Sequence, residues 1–459
     1  MNRSNRFQVR AWLVLAVSTC GIATALAQGG GQPGQGNNVF GIRVDAEGVV
    51  RPVFGNDKTG KLDRKRRAEL ADKELPSDLN KFSPLRKVSL VWLEAACAEF
   101  AERKETLSDE LQYLAGLQRI DYVFAYPDEQ DLVIAGPAEG FAVDVGGRPV
   151  GISTGRPPLR LDDLLVALRT LERGGPLGCS IDPVPANLAR LKTYVEQNSG
   201  AVTPAGAKAR HEEFQKILGM HNVRVFGVPT DSHFAEVLIE ADYRMKRLSM
   251  GLDASGVRGF KSHLAMLGPG ANMMQRWWFT PLYDPFTRSA DGLAFQIAGQ
   301  RLQLLGQDEI VSDSGQVADA PFTRASELKF ARHFTDKFPE LADANPVFAE
   351  LQSLVDLAIV AALLKKERLP DKVGWGMSLF LDADRLPNAK RNIPRQVDAT
   401  MNYKSGTRFI GLIGGGITVD ARRTVIQHEF RADSDGKLQS TRQTNASEER
   451  PAKHPWWWD

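Results

Sequence analysis

The sequence predicts an α+β fold, helices beside antiparallel sheets, arranged as two main globular units behind a cleaved signal peptide. Two patterns point there. Strand-like alternation arrives mostly as hairpins, and helical periodicity comes in separate groups, which argues against a parallel doubly wound sheet. The composition agrees: 459 residues with 42% apolar and 25% charged residues, three Cys, 41 Gly and 25 Pro exclude collagen-like, disulfide-dense and wholly disordered chains. At about 150 residues per domain, this length allows roughly three domains.

Residues 1–27 read as a signal peptide. Arg3, Arg6 and Arg10 form a basic start, Ala11 to Ile22 an apolar stretch, and Ala25-Leu26-Ala27 a small-x-small cleavage site before Gln28. Thr19 is a poor neighbour for a lipid-modified Cys20, so cleavage near Ala27 and export to the periplasm or beyond are expected. No later run reads as a transmembrane helix, so the mature chain carries no predicted span. Removing three Arg turns the formal charge of +2 into −1, and nothing favours nucleic acid, which needs a clustered basic excess.

Residues 28–38 are a Gly/Gln-rich linker. The segment 39–83 starts with alternating Phe40, Ile42 and Val44, a turn at 45–48 and Val49, Val50 and Val53, then a charged helical stretch. Its basic run Arg64 to Arg67 is followed by Glu69, Asp72 and Glu74, as on a solvated helix face. The first unit, 84–196, begins with a helix capped by Ser89 and running to Lys104, then one over 108–118. Ile120, Tyr122, Phe124 and Tyr126 alternate into a hairpin with 132–135, a second hairpin spans 141–152, and helices cover 162–172 and 186–196. A linker at 197–209 precedes the second unit, 210–439. There the pattern predicts a helix near 207–218, a strand 223–228, a helix 230–250, an irregular aromatic stretch 276–288 and a hairpin 293–305. Helices 325–337 and 346–368 follow, then strands near 376–381, 407–419 and 422–431. Residues 440–459 read as a polar tail ending in a Trp cluster.

Several spellings fail on context. Gly151-Ile152-Ser153-Thr154-Gly155 matches a nucleophile elbow, but Arg156-Pro157-Pro158 cannot supply the helix that must follow at once. Ser326-x-x-Lys329 and Lys58-Thr59-Gly60 stand in the wrong order for a penicillin-recognising enzyme. Asp433-x-Asp435-Gly436 is better read as a hairpin turn than as a calcium loop, because Arg442 stands where an EF-hand needs Glu.

The candidate metal ligands are Asp231, His233, Glu236 and Glu240, with His428 as an outside ligand. His233, Glu236 and Glu240 share one helical stripe, as a carboxylate–imidazole centre would need. The structural alternative is a helix capped by Thr230 or Asp231, with Glu240 paired to Arg244 on the solvent side. Cys97 and Cys179 either pair, which would constrain the unfolded chain by about 4–5 kcal/mol, or stay as buried thiols. Trp277, Trp278 and Tyr283 could stack on a sugar or peptide, or plug a core. Trp456, Trp457 and Trp458 follow a polar segment, so a partner-contact role is favoured over docking on the chain itself.

The stretches LAGLQRIDYVFAYP (114–127), LVIAGPAEGF (132–141), GRPPLRLDDLLVALRTL (155–171), VPTDSHFAEVLIEADYRMKRLSMGL (228–252), RWWFTPLYDP (276–285) and PVFAELQSLVDLAIVAALLKKERL (346–369) together resemble an uncharacterised family of exported proteins, found mainly in planctomycete bacteria and built around a domain of unknown function. The resemblance covers about 84–370 and implies export, with no activity, catalytic residue or cofactor attached. The expected function is therefore a non-enzymatic, envelope-associated binding or scaffold protein whose partner is an envelope component or another protein. The alternative is an exported metal-dependent hydrolase built on the Asp231, His233, Glu236 and Glu240 stripe.

Overall fold

The computed structural model describes residues 38–44, 50–55, 61–198, 200, 203–267, 273–312, 314, 316–319, 323–403, 410–427 and 429–459. The leader, the Gly/Gln linker, the turn at 45–48 and His428 lie outside the described residues.

Strands β1 (Asn38–Val44) and β2 (Val50–Gly55) pair antiparallel, as their alternation predicts. Helix α1 (Lys61–Glu74) keeps Arg64 and Lys65 in solvent but buries Arg67, which binds Asp63 and the Gly151 carbonyl. After β3 (Ser83–Ser89), the Ser89 hydroxyl accepts from Trp92 N at 3.0 Å and starts α2 (Leu90–Arg103). Helix α3 (Asp109–Gln112) stops before the predicted 118, because Leu114 and Ala115 take left-handed backbone in a 3-10 turn. Strands β4 (Tyr122–Tyr126) with β5 (Asp131–Ala138), and β6 (Phe141–Val143) with β7 (Pro149–Gly151), form the predicted hairpins.

Next come α4 (Leu161–Arg173), β8 (Leu177–Pro183), α5 (Pro185–Gln197), α6 (Pro204–Leu218), β9 (Met220–Phe226), α7 (His233–Ser249) and the short α8 (His263–Met266). The aromatic stretch is not irregular: β10 (Met273–Leu282) is a long strand paired on both edges. After β11 (Thr287–Arg288), the predicted 293–305 hairpin splits, because β12 (Ala294–Gln296) and β13 (Arg301–Val311) enter different sheets. Then follow β14 (Val317–Asp319), α9 (Ala325–Asp336), α10 (Phe338–Ala344), α11 (Pro346–Lys366) and α12 (Leu369–Val373). The expected strand at 376–381 is absent, and residues 378–381 form a turn instead.

Strands β15 (Gln396–Asp398), β16 (Met401–Tyr403) and β17 (Ile410–Val419) lead to α13 (Ala421–Gln427), a helix where a strand was expected. Asp420 explains it, its carboxylate accepting from Arg423 N at 2.9 Å as an N-terminal cap. Beyond β18 (Arg431–Ala432), α14 (Lys437–Ala446) and β19 (Trp457–Trp458) replace the expected polar tail.

Two sheets organise the chain. One runs β14-β13-β10-β17-β8-β9-β15, with β16 on β17; the other runs β18-β11-β12-β4-β5-β3-β19. Pairing is antiparallel except between β10 and β17 and between β11 and β18, so the α+β class holds. Strand β8 precedes the expected 197–209 linker, yet it pairs with both β9 and β17, so one sheet draws on both predicted units.

Helix α11 lies at the centre. By length and apolar content it could cross a membrane, contrary to the sequence reading, but its apolar window is 100% buried in this fold. It packs with α4, α7 and α13, and an all-round apolar helix is what such a position requires. One face of the first sheet, with Cys179, Ile181, Trp277, Phe279 and Ile417, closes the same core.

Candidate functional site

Helix α7 positions the predicted acidic and imidazole stripe. Its cap is Ser232, not Thr230 or Asp231: the Ser232 hydroxyl accepts from Ala235 N at 3.2 Å. At the next residue, His233 Nδ1 lies 2.8 Å from Asp163 of α4, and its Nε2 lies 3.7 Å from Glu350 of α11. Glu240 is buried and accepts from Arg148 at 2.6 Å, and Arg148 also grips Glu350. The expected Glu240–Arg244 pair on the solvent side is not formed. Arg244 is itself buried and binds Asp253 at 2.6 Å and the Asn345 side chain.

Asp231 and Glu236 sit apart from this lattice, facing Lys390 at 4.0 Å and Arg391 at 3.8 Å respectively. Among the described residues, no three His, Cys, Asp or Glu side chains are grouped so as to hold a metal ion. His428 lies outside the described residues. The stripe meets a guanidinium and two carboxylates from distant elements. Sequence reading missed Arg148, Asp163 and Glu350. The one available signal was a carboxylate, Glu350, in the first turns of the strongly apolar α11, which carries a second buried carboxylate at Asp356.

The other candidates resolve as follows. Cys97 and Cys179 are both free and buried, so the possible disulfide is absent. Burial pushes the Cys97 thiol up to about 12, with the Glu94 charge adding to it. Cys179 donates to the Leu238 carbonyl at 3.3 Å and is likewise raised. Trp277 is fully buried and donates to Glu327 at 2.7 Å, and Tyr283 donates to Asp356 at 2.8 Å, so both serve the core.

The terminal indoles are docked on the chain itself, which overturns the contact role. Strand β19 adds to the edge of β3, with Trp457 opposite Val88 and Trp458 opposite Lys87. Trp456, Trp457 and Trp458 are 5%, 2% and 4% exposed. Glu139 straps the Gly151–Gly155 turn by accepting from Ser153 N and Thr154 N, each at 2.9 Å, and no helix follows until α4. Asp433 caps α14 by accepting from Gln439 N at 2.9 Å, so that turn starts a helix rather than joining two strands.

Trp278 is different. On β10 the side chains alternate, so the strand that turns Trp277 and Phe279 into the core turns Arg276 and Trp278 to the opposite face of the sheet. Register runs Trp278, Gly416, Ser180 and Arg224 straight across β10, β17, β8 and β9. The next row runs Thr418, Gly178 and Phe226.

Gly416 forms a floor between taller residues, giving a trough of about 430 Å³ lined also by Asp182, Arg276, Gln307 and Asp319, while the Phe226 ring lies over Gly178. At Gly416 an added Cβ would come 1.9 Å from the Cys179 carbonyl oxygen, so no side chain can stand there. Asp182 accepts from Gly415 N at 3.1 Å, and Arg276 contacts Glu309 at 3.3 Å. Ser180, Arg224, Trp278, Gln307 and Thr418 make no side-chain hydrogen bond or ion pair among the described residues.

Behind the floor, on the core side, Lys246 is fully buried. It donates to Asp242 at 2.9 Å and to the carbonyls of Ile181 and Gly415 at 2.8 and 3.0 Å, pinning β8 and β17 together. Burial pushes the Asp242 carboxyl up to about 7 against the pull of Lys246. His221, also fully buried, is pushed down to about 3 by burial and by the Lys246 charge.

Residues 179–263 match a family described as a protein of unknown function (DUF1598). No curated protein and no solved structure matches the chain. The matched stretch runs from β8 to the start of α8. It includes Ser180, Asp182, Arg224 and Phe226 of the trough and the whole of α7, whereas Trp278 and Arg276 lie beyond it.

Proposed function

We propose that the protein is an exported, extracytoplasmic binding module that takes its ligand in the trough between Trp278 and Arg224. One observation carries this reading: hydroxyl, amide, guanidinium and indole groups line the trough without partners. Buried polar groups in a folded chain are ordinarily satisfied internally, and here every charged side chain of the α7 lattice has an opposite charge beside it. The unsatisfied trough side chains are instead half-buried or exposed and engaged by no other side chain, which leaves them free to exchange water for a ligand around a cavity within the size range of small-ligand sites.

Export rests on the basic, apolar and small-x-small pattern of residues 1–27. An envelope component is the expected partner class, by location. The hydrolase alternative has less support, since the stripe on which it rests is tied up in ion pairs with Arg148, Arg391 and Lys390.

The test combines two measurements on chain recovered from its native host. Mass spectrometry of the N-terminus should find Gln28 in the extracytoplasmic fraction. Titration with low-molecular-weight digests of the cell envelope should change tryptophan emission saturably, and Trp278→Phe should abolish that change. A chain that keeps residues 1–27 inside the cell refutes export, and emission unaffected by every fraction refutes the binding module.

A further inference from the structure

The chemistry of the trough narrows the ligand, and we infer that it is a neutral oligosaccharide segment, stacked on Trp278 and held by hydrogen bonds along the Ser180–Arg224 side. The inference rests on the binding-module reading and goes further by naming the class. Four features of the site select it.

The first is where the trough lies. It occupies the face of a sheet whose strands β10, β17, β8 and β9 are each paired on both edges. An extended peptide recognised by strand addition needs a free edge to bond its main chain. No such edge opens into the trough, so recognition there falls to side chains.

The second is charge. Arg224 and Arg276 face Asp182 and Asp319, and Arg276 is already engaged by Glu309. With no net positive excess, the trough has nothing to hold a polyanion, whose binding scales with the phosphates neutralised. Counting Glu309, three carboxylates face two guanidiniums, an excess of a single negative charge that is too small to select a polycation. A neutral ligand matches a nearly balanced lining.

The third is the kind of hydrogen-bonding group. Sugar hydroxyls donate and accept at once, usually in adjacent pairs. Ser180 and Thr418 do the same, Gln307 offers an amide with both functions, Arg224 offers a fork of donors, and Asp182 keeps one carboxylate oxygen beyond the one bonded to Gly415.

The fourth is shape. Trp278 stands at one wall and Arg224 at the other, three strand spacings or about 14 Å away, over a floor of Gly416 and Ser180. An indole face offers a flat apolar surface of the kind that the C–H face of a pyranose ring can cover, and the length of the floor accepts a short run of rings rather than one.

The experiment uses full-length mature protein in calorimetric titration and tryptophan fluorescence. The probes are cellotetraose, chitotetraose, maltotetraose and mannotetraose, with tetragalacturonate and tetraalanine as controls. At least one neutral tetrasaccharide should bind. Trp278→Ala should weaken it about tenfold or more, Trp278→Phe should weaken it less, and Arg224→Ala should weaken it while leaving the melting curve unchanged.

If tetragalacturonate or tetraalanine binds through Trp278 and no neutral sugar does, the saccharide assignment is overturned and the binding module stands. Failure of all six probes also overturns the saccharide assignment, while the envelope-digest titration decides the module separately. Binding of a neutral sugar that survives both Trp278→Ala and Arg224→Ala would move the site elsewhere and overturn the assignment to this trough.

Discussion

Replacing Trp457 by Ala should destabilise the whole fold. Only 2% of the Trp457 surface is exposed. Its ring lies on the core side of β3 opposite Val88, its indole N–H donates to Glu110, and the Arg86 guanidinium sits 4.6 Å from its centroid. His454 stacks on it at 4.2 Å, nearly parallel. A buried Trp covers about 150–250 Å², which at about 25 cal/mol per Å² corresponds to roughly 4–6 kcal/mol of transfer free energy. Measured truncations of buried aromatic residues run at about 3–5 kcal/mol, and we adopt that range.

The result would be a large fraction of the roughly 5–15 kcal/mol that separates native from unfolded protein. Urea unfolding followed by circular dichroism reads it as a drop in midpoint at constant slope. Lys453→Ala, an exposed neighbour in the same segment, is the control and should stay within about 0.5 kcal/mol. A Trp457→Ala midpoint equal to that of the control would show that β19 does not hold the sheet edge, and the case for self-docked indoles would collapse.

Arg148→Met should cost about 3–5 kcal/mol, because it strands Glu240 and Glu350 as buried carboxylates without their cation. Adding Glu240→Gln and Glu350→Gln should restore most of the loss in the same urea assay. His221 binds a proton near pH 6.5 when unfolded but only near 3 when folded. The native state therefore loses stability as pH falls through that window, and His221→Leu should flatten this acid slope between pH 6.5 and 4 in urea midpoints. Asp242 is raised to about 7 and acts with the opposite sign, adding stability that is lost as pH rises from about 4 to 7. An Asp242→Asn variant should therefore look more acid-labile than wild type. Both thiols should resist a disulfide reagent in native buffer and react fully in denaturant, and a non-reduced mass showing one disulfide between Cys97 and Cys179 would contradict the structure.

The readable parts of the sequence were those where one local signal decides the outcome. Ser89 caps α2, the apolar periodicity of α4, α7 and α9 marks helices with strong buried stripes, and the length of the unbroken apolar run marks α11. The hairpins β4–β5 and β6–β7 carry their own turns. The failures came where long-range pairing decides. RWWFTPL looked irregular because its Trp and Pro residues break no pattern that a single strand must show, and only β13 and β17 on either side make it β10. The 293–305 segment carried two true strands, but the strand-to-strand turn was read as a hairpin, when Gly299 at φ 101° instead carries the chain from one sheet to the other.

The candidate site divides along the same line. The stripe His233, Glu236, Glu240 was legible because helical spacing is local, yet its chemistry was decided by Arg148, Asp163 and Glu350, each at least 70 residues away in the chain. Trp278 was singled out beside Trp277 as if the two shared a fate. Strand geometry separates neighbours, sending one into the core against Glu327 and the other onto the glycine floor of the trough. Adjacent identical residues on a strand are therefore a test of role in themselves. Trp277→Phe should act on stability through the lost Glu327 bond, whereas Trp278→Phe should act on ligand affinity. A chain in which both substitutions moved only the urea midpoint would have a trough with no ligand to lose.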